Sequence, residues 1–88
     1  MNTELLTLVV TRFDATKYPT FADRLKLAMI LRDYSIRKLG KCLYLSPTTV
    51  SGYLSGRRMP DCIILCKIAK ELRVSTDFLL GIVDYIVE

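Results

Sequence analysis

Apolar positions along residues 35–56, SIRKLGKCLYLSPTTVSGYLSG, recur in two short helical stretches separated by a break. Ile36, Leu39 and Leu43 fall at helical spacing behind Ser35, a good N-cap, and leave Arg37, Lys38 and Lys41 on the faces between them. Ser46 followed by Pro47 is a second start signal. A serine hydroxyl accepts from an early helical N–H, and proline at the first helical position gives up only an N–H that would have had no partner. The second helix carries Val50 and Leu54 one turn apart and closes at Gly56. Only the residues around Tyr44 and Leu45 join the two helices, with Leu45 apolar enough to plug the turn. Gly40 costs the first helix about 1 kcal/mol relative to alanine, which close approach of the second helix would offset.

The remaining pattern supplies layers around this pair. Residues 2–13, NTELLTLVVTRF, fit a helix capped by Thr3 with Leu5, Leu8 and Val9 on one stripe, and their β-branched run also fits a strand; helix is the slightly favoured reading. Residues 14–20 read as a linker. Thr20 opens a helix of about 21–32 with Phe21, Leu25, Ala28 and Met29 at helical intervals and Asp23 in its first turn. After the basic loop Arg57, Arg58, Met59, Pro60 and Asp61 open a helix to about Leu72, with Cys62, Leu65, Ile68, Ala69 and Leu72 as its inward stripe. Ser75 caps a last short helix ending at Gly81. The tail, residues 82–88, is too apolar to be left in water and is expected as a strand or as a covered segment.

Length and charge narrow the function. A chain of 88 residues, 51% hydrophobic, is one small domain and not a disordered segment. Its net charge of +4 is unevenly placed: residues 21–60 hold eight bases against two acids, whereas residues 61–88 hold three against five. A polyanionic partner explains that asymmetry, and a solvated surface is the plain alternative. No apolar run is long enough to span a bilayer and the opening MNTELL lacks a basic leader, so a cytoplasmic protein is expected. Three cysteines without framework spacing agree with a reducing compartment. There is no histidine, no glycine-rich phosphate loop and no recognisable carboxylate pair, so neither an enzyme nor a cofactor is expected. Cys62 and Cys66 are four apart on one helix, yet a structural zinc site wants four ligands. Cys62 reads as a small core residue and Cys66 as partly exposed.

From Phe21 to Gly81 the chain resembles the lambda-repressor-like, Cro-type or Xre helix-turn-helix family. The resemblance rests on FADRLKLAM, on SIRKLGKCLYLSPTTVSGYLSGRRMP and on LCKIAKELRVSTDFLLG, which are specific as a set. It implies an all-α, five-helix domain at residues 21–81, flanked by an extension at 1–20 and a tail at 82–88. It further implies that the helix 47–55 enters the DNA major groove, usually within a homodimer on a two-fold-related operator. Base-reading positions carried over from the family are Pro47, Thr48, Ser51 and Gly52. With Thr49 these offer short hydroxyls or no side chain where relatives often place Arg, Gln or Asn, so direct readout should be shallow and leave room for shape and water. Ile36 occupies a position that commonly holds glutamine, and Arg37 could take over its phosphate contact.

The expected contact set is therefore Arg37, Lys38, Lys41, Ser46, Pro47, Thr48, Thr49, Ser51, Gly52, Arg57 and Arg58. The two arginines lie where the loop should meet a duplex backbone. Tyr53 reads as a packing residue. The apolar ends NTELLTLVV and GIVDYIVE could pair across a two-fold axis or cap one monomer. The leading reading is a sequence-specific transcriptional regulator, of phage or mobile-element repressor type, at work on the nucleoid. The rival is a protein-interaction module on the same scaffold, with an antirepressor or a toxin as partner.

Overall fold

The computed structural model describes residues 17–85, which form five helices: α1 (Phe21–Arg32), α2 (Ile36–Leu43), α3 (Pro47–Leu54), α4 (Cys62–Leu72) and α5 (Thr76–Leu79). Among the described residues there is no strand. The helix or strand expected at 2–13 lies outside them, as do residues 86–88.

Each helix starts where a short polar side chain can hold its first turn. Thr20, Ser35, Ser46, Asp61 and Ser75 all stand in extended backbone, and each side-chain oxygen accepts the N–H three residues on, at 2.8 to 3.1 Å. Such a cap is worth about 1 kcal/mol. The helix ends are less conventional. Gly56 and Gly81 take the left-handed conformation expected of glycine, but Asp33, Tyr44 and Arg73 close α1, α2 and α4 with positive φ of 59°, 57° and 55°. In each of these three the next residue's N–H returns to a carbonyl five back: Tyr34 to Met29, Leu45 to Gly40, Val74 to Ala69.

Leu25, Leu39, Val50, Ile68, Leu72, Phe78 and Leu79 are fully buried, so every helix contributes to a single core. Leu45 packs half-buried against it beneath the turn between α2 and α3. Tyr53 is buried. The inward stripe of α4 differs from the expected one. Cys62 is exposed at the first position of the helix, beyond the edge of the core, and the burying face runs instead through the half-buried Ile64 and Leu65 to Ile68, Ala69 and Leu72. Cys42 and Cys66 are exposed as well, all three thiols are free, and among the described residues no metal-holding cluster forms.

A buried arginine, which its charge alone would put at the surface, ties the ends of the domain together. Arg24 is 2% exposed on α1. Its guanidinium donates to the carbonyls of Tyr18 (2.5 Å), Phe78 (3.2 Å) and Val83 (2.7 Å) and to the Asp84 carboxylate (2.5 Å), and it lies over the Phe78 ring. Residues 18–20 are thus pinned rather than a free linker. The tail is covered at Val83, which is half-buried, while Ile82 and Tyr85 stay exposed. Arg32 does similar work at the far end of α1, donating to the carbonyls of Leu72 and Arg73 at the end of α4.

Candidate nucleic-acid interface

The turn between α2 and α3 is set by two backbone facts. Leu45 N–H donates to the Gly40 carbonyl at 2.8 Å, and a Cβ on Gly40 would stand 2.7 Å from the Leu45 carbonyl oxygen and 3.6 Å from Val50 Cγ2. The absence of a side chain at Gly40 is what lets the turn fold back against α2 and brings Val50 of α3 alongside. The tightest approach is the turn itself, with the second helix next to it.

On α2, Leu39, Gly40 and Leu43 face inward, and Arg37, Lys38 and Lys41 are exposed. At 3.6 residues per turn Arg37 lies on the flank shared with Gly40, the side that meets α3. Lys38 leans the other way, its ammonium 4.2 Å from the centre of the Tyr34 ring. The Tyr34 hydroxyl donates to Glu71 on α4 at 2.5 Å, and this bond, followed by partial desolvation, holds its pKa above the ordinary tyrosine value.

α3 runs from Pro47 to Leu54, with Ser55 as its cap, one residue shorter than expected. Ser46 Oγ holds the Thr49 N–H at 3.1 Å and shares a second hydrogen bond with Thr49 Oγ1 at 2.9 Å, so both hydroxyls are engaged in starting the helix. Pro47 and Thr48 are exposed, while Thr49 and Ser51 are half-buried.

Gly52 needs a correction. It is buried, not an open position on the outer face, because Arg58 folds back onto it. Measured from where a Cβ would stand on Gly52, the Arg58 Cδ, Cγ and Cβ lie at 3.0, 3.2 and 3.5 Å, and the Arg58 N–H donates to the Gly52 carbonyl at 3.1 Å. Arg57 is held differently. Its Nε donates to Ser55 Oγ at 3.1 Å, and Ser55 Oγ donates in turn to the Gly52 carbonyl. Both arginines are exposed. The sequence signal for this arrangement was an isolated glycine inside a helical pattern, which marks close approach as readily as a missing side chain.

A separate open groove of about 310 Å³ lies between the end of α2 and α4, lined by Cys42, Leu43, Tyr44, Lys67, Lys70 and Glu71. None of the expected contact residues lines it.

Two capped helices joined by a tight turn, packed on three further helices and followed by a basic loop, define a helix-turn-helix domain. A protein-family model described as Helix-turn-helix matches residues 25–79, most of the chain. The chain belongs to this family, the Xre or lambda-repressor-like helix-turn-helix proteins, which are DNA-binding regulators. Neither a curated protein nor a solved structure matches it. No helix among the described residues is long and apolar enough to cross a membrane.

Proposed function

We propose that this protein is a sequence-specific transcriptional repressor of phage or mobile-element type, cytoplasmic and working on the nucleoid, that binds its operator as a homodimer and excludes polymerase from it. Residues 21–81 are the DNA-binding unit, and the apolar ends, including the exposed Leu80, Ile82 and Tyr85, supply the two-fold contact. The observation that carries this reading is the geometry around α3. A helix with exposed Pro47 and Thr48 at its start is fixed by the Gly40–Leu45 turn and followed at once by Arg57 and Arg58.

Affinity then comes largely from phosphate neutralisation by Arg37, Lys41 and the arginine loop, with Lys38, turned to the Tyr34 ring on the other flank, a lesser contributor, and binding weakens steeply as salt rises. α3 enters the major groove, and two copies related by a two-fold axis place their helices about 34 Å apart. Arg57, anchored to the helix end through Ser55, is the phosphate contact.

Fluorescence anisotropy of Arg57→Ala over a salt series is expected to show weaker binding to every duplex and a log–log salt slope flatter by about one unit. Thr48→Ala should instead shift preference among duplexes and leave the slope alone. Equal losses from both variants on all sequences would remove Thr48 as a reader.

The short side chains of α3 favour a second reading, a scaffold whose helix face binds a protein such as an antirepressor or a toxin. Low-salt heparin chromatography separates the two: a regulator is retained and elutes with salt, and a pure interaction module passes through.

A further inference from the structure

We propose that Arg58, a loop residue, is the principal base-reading side chain of this protein, and that Gly52 is the positioning residue that seats it. The inference rests on the DNA-binding reading above and assigns the specificity within it.

The exposed part of α3 offers little to a base edge. Pro47 has no donor, Thr48 is short, and the hydroxyls of Ser46 and Thr49 are turned to each other and to the helix start. No side chain on that face is longer than a threonine's. Guanine is read by a donor-rich side chain, arginine or lysine, that reaches its O6 and N7 together, and arginine's planar fork holds both contacts in one fixed geometry that a flexible lysine ammonium does not.

Arg58 supplies that fork from outside the helix. Its aliphatic stem lies in the notch left by Gly52, with Cδ and Cγ closer to the missing Cβ than a real one would comfortably allow and Cβ at contact distance, and its backbone is fastened by the hydrogen bond to the Gly52 carbonyl. The stem is therefore laid against α3 as far as Cδ, the atom next to the guanidinium, and the guanidinium forms no hydrogen bond or ion pair among the described residues. Arg57, its neighbour, spends Nε on Ser55 at the end of the helix. The two arginines thus have different jobs: one tethered at the helix end and one laid over the helix with its donors open. A stem held in place before binding loses less rotamer freedom on contact, which favours a directional bond over a diffuse charge contact. A glycine in mid-helix weakens the helix, and the seat for Arg58 is what that cost obtains.

Two substitutions separate base reading from charge. Arg58→Lys keeps the charge and loses the fork. Gly52→Ala keeps the arginine and lifts it, since a real Cβ would crowd Cδ at 3.0 Å, a contact a flexible side chain relieves by moving. The wild-type chain is used to select from a randomised duplex pool, and each protein is then titrated by anisotropy against the selected duplex and a scrambled duplex of the same composition. On scrambled DNA both variants are expected to lose only modestly, so that the loss on the selected duplex clearly exceeds the loss on the scrambled one. Their preference for the selected duplex should fall by about 5- to 150-fold, with the loss mapping to one guanine–cytosine pair on base-by-base substitution. Gly52→Ala should do so while melting at or above the wild-type temperature.

Full preference retained by Arg58→Lys, or equal losses on both duplexes, would overturn the assignment and leave the DNA-binding reading standing. A wild-type protein that enriches no sequence would overturn both.

Discussion

Arg24→Ala is expected to lower stability by about 3 kcal/mol, which for a domain of this size is a fall in melting temperature of about 10–25 °C. The loss has a structural source. Among the described residues the guanidinium joins the segment at Tyr18, α1, α5 and the tail through four acceptors, three of them backbone carbonyls. Removing it takes the guanidinium donors from the Tyr18 and Val83 carbonyls, leaves the Phe78 carbonyl with only the Gly81 N–H, and opens a hole beside the fully buried Phe78. The ion pair is the lesser part of the effect, because the Asp84 side chain is 54% exposed and water replaces much of what it gives. Asp84→Asn should therefore cost less than about 1 kcal/mol. Arg24→Lys should recover little, since one compact ammonium cannot reach acceptors on three separate segments. Thermal melts of the three variants check this ordering, and an Asp84→Asn loss as large as that of Arg24→Ala would show that charge, not the carbonyl clamp, holds the ends together.

Gly40→Ala is expected to destabilise, against the usual direction for a helical glycine. On propensity alone alanine gains about 1 kcal/mol. Here its Cβ meets the Leu45 carbonyl oxygen at 2.7 Å, and that carbonyl turns aside only by shifting the Leu45–Ser46 peptide and with it Ser46, the residue that caps α3. Overpacking of this kind costs about 1–3 kcal/mol, so a net loss of about 1–2 kcal/mol is expected. The functional effect should exceed the stability effect. Relief of the contact tilts α3 away from α2, and Val50, Thr48 and the arginine loop move with it. A urea melt paired with a DNA titration checks both at once. Unchanged DNA affinity in a destabilised Gly40→Ala protein would mean that the turn does not set the angle of α3.

How far the chain could be read from its sequence depended on whether a feature was local. Ser46–Pro47, Ser35, Thr20 and Ser75 announce helix starts through hydrogen bonds three residues long, and the structure has every one of them. Gly40 was legible because a glycine in a helix needs a reason. The left-handed closures at Asp33, Tyr44 and Arg73 were not, because a side chain at positive φ carries a cost that no local residue pattern announces, and here the returning N–H bonds of Tyr34, Leu45 and Val74 accompany it. Arg24 was hidden for the same reason: an arginine within an amphipathic pattern reads as surface unless its partners are known, and those here lie up to 60 residues away. Cys62 was misplaced by extending the stripe of α4 one turn past the core. At the interface, sequence reading identified the short hydroxyls of α3 but took Gly52 for an empty position, since the residue that fills it comes from the following loop.

The most direct measurement is a fluorescence-anisotropy titration of the purified, folded protein, at two salt concentrations, against a random labelled duplex pool and against DNA from upstream of its own gene. The expected result is salt-sensitive binding to both with a clear preference for the upstream DNA. Failure to bind either duplex at low salt would contradict the assignment of α3 and the arginine loop to DNA, and would turn that face over to a protein partner.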